Sequence, residues 1–260
     1  NKMKKMLKVI VFLFLITSFT GCVSLRNQDV LYQTSTINAL LEGIYDGEET
    51  FGELKKYGDF GLGTFNALDG EMVAVDGKFY QIKTDGIAYP VSSSMKTPFA
   101  VVTFFKPDKI FIIDKVKNYE ELKKFIDERL PSKNIFYAIK IEGNFEYIKT
   151  RSVPRQKKPY LPLVEVVKKQ SIFTFHNVKG TVIGFRCPSF VKGLNVPGYH
   201  LHFITEDRKA GGHILECSMK NVKAEIDYTT KFYLVLPESS RFYKVDVSGN
   251  KEKQLEKVER

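Results

Sequence analysis

The sequence predicts an α+β fold that is predominantly β. Short apolar stretches with β-branched and aromatic residues recur along most of the chain. Three Asp-Gly pairs, Asp69-Gly70, Asp76-Gly77 and Asp85-Gly86, punctuate the first of them as tight hairpin turns do. Helical spacing is read in two segments, 36–41 and 119–130. At 260 residues, 43% hydrophobic and 27% charged, the chain has the composition of a globular protein, not of a disordered or repeat protein.

The first 22 residues stand apart. Lys2, Lys4, Lys5 and Lys8 precede the apolar run from Val9 to Ile16, and Phe19-Thr20-Gly21-Cys22 follows. This order predicts an export signal. The run is shorter than the roughly 20 residues that a stable span needs. Because Phe19 to Cys22 resembles the bacterial lipobox, Cys22 is expected to be lipidated, anchoring an exported protein to the outer face of the cytoplasmic membrane. Residues 23–34 read as an exposed linker.

The elements then follow in order. Thr36 to Leu41 reads as a helix ended by Gly43. Gly61 to Ala67, Glu71 to Val75, Lys78 to Ile82 and Ile87 to Val91 form an antiparallel meander around the Asp-Gly turns. Phe99 to Phe105 and Lys109 to Ile113 add strands. Tyr119 to Leu130, with Leu122, Phe125, Ile126 and Leu130 on one face, is an amphipathic helix stopped by Pro131. Phe136 to Ile141 and Phe145 to Thr150 are strands again. Pro154, Pro159 and Pro162 suggest a crossover between two halves, an N-terminal β-rich domain over 35–153 and a C-terminal β domain over 154–260. The second half is read as strands Ile172 to His176, Thr181 to Arg186, a histidine hairpin, Ala224 to Tyr228 and Phe232 to Leu236, then a charged tail.

The net charge of +10 includes the four lysines of the leading segment, so the remainder is only mildly basic. Arg155-Gln156-Lys157-Lys158 is short, and no basic stripe interleaved with aromatics marks a nucleic-acid surface. Cys187 and Cys217 could pair in an oxidising compartment, or Cys217 could be a small buried hydrophobe. No phosphate loop, dinucleotide fingerprint or nucleophile elbow occurs, so nucleotide and acyl-enzyme chemistry lack support.

The histidines carry the strongest chemical signal. Three of the four, His200, His202 and His213, lie within fourteen residues. On a strand side chains alternate, so His200 and His202 share a face with Cα atoms about 7 Å apart. Glu206 to Gly212 is polar and glycine-ended, so it predicts a turn that returns His213 beside His202. Three imidazoles with open positions make a catalytic site for zinc, and nickel, iron or manganese would accept the same donors.

Two further residues could serve such a metal. Glu71 shares a strand face with Val73 and Val75. If that face packs inward, the carboxyl is partly buried and its pKa raised, which suits proton transfer. If not, Glu71 faces water. Arg151 ends a strand before the proline-rich crossover, where it could hold a substrate carboxylate or be an ordinary surface arginine.

With these segments assembled, the exported part resembles acetolactate decarboxylase. The resemblance is carried by Gly58 to Asn66, Leu68-Asp69-Gly70-Glu71, Thr97 to Ala100, Phe136 to Ile139, Thr150-Arg151, and above all Gly198-Tyr199-His200-Leu201-His202-Phe203 with Gly211-Gly212-His213. It implies two mainly β domains, antiparallel or mixed, with zinc in the cleft between them, held by His200, His202 and His213. Glu71 and Arg151 would line the active site, Thr64 and Leu68 the substrate pocket, and a C-terminal glutamate, best matched by Glu256 with Glu252 or Glu259 able to stand in, would approach the metal. The implied reaction converts acetolactate to acetoin and carbon dioxide without an organic cofactor, in a homodimer. A lipid-anchored zinc-binding module without turnover and a zinc hydrolase remain as alternative uses of the same histidines.

Overall fold

The computed structural model describes residues 29–259. The expected export signal and Cys22 lie outside them. Two β-sheets form the frame. The first has seven strands in the order β12-β1-β6-β2-β3-β4-β5: β1 (Val30–Thr34), β2 (Phe60–Thr64), β3 (Glu71–Val75), β4 (Lys78–Ile82), β5 (Ala88–Pro90), β6 (Ala100–Thr103) and β12 (Lys231–Val235). The second has five, in the order β10-β9-β8-β11-β7: β7 (Lys109–Val116), β8 (Phe136–Ser152), β9 (Ser171–Cys187), β10 (Gly198–Thr205) and β11 (Gly211–Thr229). Because β10 also pairs with β11, strands β8 to β11 close on themselves. Every pairing is antiparallel except β1 with β12.

Six short helices cover the sheets: α1 (Ile37–Leu41), α2 (Phe51–Leu54), α3 (Tyr119–Asp127), α4 (Leu163–Val166), α5 (Ser240–Lys244) and α6 (Glu252–Val258). Two of them show how the sequence sets their limits. Thr36 caps α1 through the Ala39 amide, and Gly43 follows at φ 78°, the left-handed turn that stops a helix. Asn118 accepts from the Glu121 amide at 2.8 Å and puts two glutamates in the first turn of α3, where the helix dipole favours them. Leu122 and Ile126, four residues apart, bury completely against the second sheet. Each contributes about 1.5–3 kcal/mol of hydrophobic stabilisation.

The main core lies between the sheets. Leu62, Val73 and Val101 from the first meet Ala138, Ile183 and Phe185 from the second. Met72, Ala74 and Phe79 point the other way, into a smaller core under α2. The strand β3 therefore has two buried faces, and Glu71, in phase with Val73, faces the second sheet.

Several elements differ from their expectation. Residues 30–34, read as linker, are a fully buried strand whose one long polar side chain, Gln33, is satisfied. Its amide donates to the Ser35 and Leu194 carbonyls and accepts from Asn195, each at 2.7 Å. The strand from Gly61 ends at Thr64 rather than at Ala67, because Ala67 and Leu68 turn through positive φ of 59° and 54°. Segments read as separate strands fuse into β8, β9 and β11; the pairing of β8 with β9 runs on through Gly143 and resumes on the far side of Asn177. The chain changes sheet between β6 and β7, well before 153/154, and returns to the first sheet with β12. Cys187 and Cys217 are free thiols, both buried.

The charged tail is also structured. α6 packs through Leu255 and Val258. Lys251 holds Glu42 at 2.6 Å, Lys192 pairs with Glu252, and Asn38 donates to the Val247 carbonyl at 2.8 Å. These ties bring the tail across the gap between the sheets.

Candidate active site and metal centre

His202 and His213 sit directly opposite each other on β10 and β11, and Arg151 is the partner of His213 on β8. Cross-strand partners share a face, so the three side chains form a row. His200, two residues before His202, falls on the same face. A side chain at position 212 would not fit: a Cβ there would come within 2.5 Å of the Arg151 carbonyl, and φ is 140°. Gly212 thus lets β8 and β11 close up around His213.

One ligand atom from each of the three histidines lies within 4.8 Å of the others. Burial depresses the basicity of all three rings, His200 down to about 3 and the other two well below the ordinary imidazole value, with the charge of Arg151 adding to the effect. They are neutral at physiological pH, the form that binds metals. His202 Nδ1 donates a 2.8 Å hydrogen bond to the Met72 carbonyl. With the proton on Nδ1, Nε2 is free to coordinate, and the bond fixes the ring as backbone partners do in metal sites. Among the described residues, His202 Nε2 and His200 Nδ1 are buried with no hydrogen-bond partner. Buried polar atoms without partners are costly, and a shared cation would satisfy them. The donor set fits a divalent transition metal.

Two carboxyl groups face the histidines. Glu71 Oε2 stands 3.7 Å from His202 Nε2. Glu259 Oε2 stands 3.8 Å from His213 Nε2 and 4.0 Å from His200 Nε2. Burial pushes each carboxyl up to about 7, with Arg151 pulling both back, and in Glu71 the charge of Glu259 adds to the rise. Both therefore hold or release a proton near neutrality. Glu256, the expected tail residue, is exposed and lines an outer groove beside α3 instead of the cavity at the histidines. Helix phase explains the difference: Glu259 lies four residues after the buried Leu255 and next to the buried Val258, on the face that packs inward. That spacing was a signal available in the sequence.

A small cavity of about 30 Å³ adjoins the centre, lined on its polar side by Thr64, Glu71, Arg151, His200 and Glu259. Arg151 is 4% exposed, and its Nε and Nη1 have no partner among the described residues. A buried guanidinium with open donors is a site for a planar anion. Leu68 also lines the cavity. Its left-handed backbone is held by bonds on either side of Ala67, from its amide to the Tyr45 carbonyl at 2.8 Å and to its carbonyl from the Gln156 amide at 2.7 Å. Thr64 donates to the Gly70 carbonyl at 2.7 Å, fixing the turn that presents Glu71. His176 lies far along β9, on its exposed half.

The profile of a family described as alpha-acetolactate decarboxylase matches residues 31–249. The chain belongs to this family. An alpha-acetolactate decarboxylase from Methanosarcina mazei is 56% identical over 238 residues, covering 92% of this chain and 83% of the relative. The crystal structure of alpha-acetolactate decarboxylase from Bacillus subtilis strain 168 superposes with a TM-score of 0.86 at 44% identity, covering 88% of this chain and 99% of that one. A Staphylococcus aureus protein of unknown function, titled as similar to alpha-acetolactate decarboxylase, superposes at 0.82 with 29% identity, over 88% of this chain and 98% of that one. The family match ends at residue 249, so the position of Glu259 rests on the geometry of α6.

Proposed function

We propose that the protein decarboxylates acetolactate to acetoin, using a divalent metal, zinc in the first instance, held by His200, His202 and His213. One observation carries the reading. A buried guanidinium with free donors, two carboxyls that titrate near neutrality and three neutral imidazoles converge on one small cavity. A metal-binding module would need neither the arginine nor Glu71. A zinc hydrolase would use the same histidines, but nothing in it calls for a carboxylate clamp.

The chemistry assigns each group a task. Arg151 receives the substrate carboxylate and orients the bond to be broken. When that bond breaks, its electron pair passes toward the adjacent ketone and carbon dioxide leaves, giving an enediolate. A bound divalent ion supplies Lewis-acid stabilisation of the developing oxyanion charge. The former carboxylated carbon must then take a proton, and Glu71, able to carry one near neutral pH, delivers it to yield acetoin. Glu259 holds a second exchangeable proton beside His213 and His200. Incubation of the purified, metal-loaded protein with acetolactate and measurement of acetoin tests the reading; absence of acetoin removes it.

Arg151→Lys is expected to keep the metal and raise KM for acetolactate by about 10–100-fold, since a point charge cannot make the two-pronged contact. Steady-state kinetics with measured metal content checks this. We also propose that the chain is exported and anchored through Cys22, and that it works as a homodimer. Cys22→Ser should shift the protein from the membrane to the soluble fraction or stall its processing, and mass spectrometry of the mature N-terminus reads the lipid directly. Sedimentation of the soluble part reads the oligomer.

A further inference from the structure

The chain enters the described structure at Asp29, immediately before β1. Val30 lies opposite Lys231, and the Lys231 amide donates to the Asp29 carbonyl at 3.0 Å. Exposed aromatic rings flank this point on both faces of the first sheet. Toward the second sheet, Phe232 lies 5.2 Å from Phe136, and Phe136 meets Phe190 edge-on at 6.3 Å. Phe190 is 65% exposed, although so large an apolar ring is ordinarily buried. On the other face Tyr57 stacks on Tyr32 at 3.9 Å with Tyr233 beside both, and Tyr57 and Tyr233 are 39% and 52% exposed. Three exposed lysines stand at the same end. Lys231 opens β12, the Lys133 carbonyl accepts from Arg186 near the end of β9, and the Lys106 amide donates to Asp227 near the end of β11. Among the acids, Asp59, Asp227 and Asp108 accept from the Phe105, Lys106 and Tyr228 amides. Arg26, the one charged residue between Cys22 and Asp29, offsets Asp29. The catalytic groups lie at the other end of the same strands. Glu71 opens β3, which runs toward the Asp76-Gly77 turn beside Asp59, while Arg151 and His213 stand at the ends of β8 and β11 remote from Phe136 and Thr229.

We propose that the end of the molecule around Asp29 rests on an anionic lipid bilayer, with Phe190, Tyr57 and Tyr233 entering the headgroup layer and the three lysines meeting its phosphates, so that the catalytic cavity faces away from the membrane. This rests on Cys22 as the lipid anchor and gives that anchor an orientation. Chain length carries the argument. The six residues from Val23 to Gln28, even fully extended, hold Asp29 within about 25 Å of the anchored cysteine. A folded domain of this size is roughly 45 Å across, so the end bearing Asp29 is the one held against the bilayer. Aromatic rings suit the boundary between headgroups and acyl chains, and lysines suit its negative surface potential. The lipid holds the protein, and the surface contact sets how it stands.

The chain contains no tryptophan, so a single one can serve as the reporter. The full lipidated chain carrying Phe190→Trp is reconstituted in phosphatidylglycerol vesicles with brominated acyl chains. Its fluorescence should be quenched about fivefold more than that of the Tyr243→Trp chain, because Tyr243, 69% exposed on α5, lies beyond the far end of β12. Lys106→Glu, Lys133→Glu and Lys231→Glu combined should bring the two signals level, while vesicle attachment and acetoin formation stay at the wild-type level. Equal quenching of the two tryptophan chains, with lipid confirmed on Cys22 by mass spectrometry, overturns the docking. So does a Phe190→Trp signal that follows protein concentration instead of lipid, which would make this face a contact between copies. An unmodified Cys22 would instead remove the anchor beneath the proposal, and the docking with it.

Discussion

His202→Ala loses bound metal and acetoin formation together. Of the three imidazoles His202 is the most completely enclosed, and it alone is tied to the first sheet, through the Met72 carbonyl. Removing it takes away one of three ligands and also the contact that orients the hairpin against β3. The expected fall in metal affinity is about 100-fold or more, the upper end of what loss of a mere supporting group costs. His176→Ala, on the exposed half of β9, should keep both metal and activity. Elemental analysis after gel filtration, with the acetoin assay alongside, checks the pair. Full occupancy in the His202 variant would remove the histidine cluster as the metal site.

Glu71→Gln keeps the metal and slows turnover by about 100-fold or more, the usual scale for a positioned proton-transfer group. Glutamine preserves the shape and the hydrogen-bonding reach toward His202, but it has no acid proton to give. The variant should fold normally, because Glu71 Oε1 has no hydrogen-bond partner among the described residues whose loss would unbalance the core. Saturating acetolactate and confirmed metal content isolate the chemical step. Near-normal acetoin production would take Glu71 out of the mechanism and leave the proton to Glu259.

The histidine centre was readable because strand alternation and a glycine-ended turn are local properties. His200-Leu201-His202 and Gly211-Gly212-His213 carry their own geometry, and the structure pairs His202 with His213 in register. Glu71 was harder. Its strand could be found from the Asp-Gly turns, but both faces of β3 are buried, so alternation alone could not say which way the carboxyl points. That depends on strands β8 to β11 of the second sheet, more than sixty residues away in sequence. Arg151 was likewise placed on a strand end but oriented only by the long register of β8 against β11. Glu256 was preferred to Glu259 because a charged tail offers little periodicity; Leu255 and Val258 are its only apolar anchors. β1 was hidden by its position after the leading segment and by Gln33, a polar residue whose partners, apart from Ser35, lie some 160 positions downstream.

The parallel pairing of β1 with β12 sets a schedule on biosynthesis. Val30 to Thr34 leave the ribosome early, yet their outer edge stays unpaired until Lys231 to Val235 follow, some 200 residues later. At about 5–20 residues per second that is an interval of roughly 10–40 s. During that time the nascent first sheet exposes a bare apolar strand edge, a template for pairing with the wrong chain. Glu259 arrives later still. The protein can therefore complete neither its first sheet nor its carboxyl pair while it is being made, which predicts that chaperone dependence and aggregation during expression will track the β1 edge rather than the histidine hairpin.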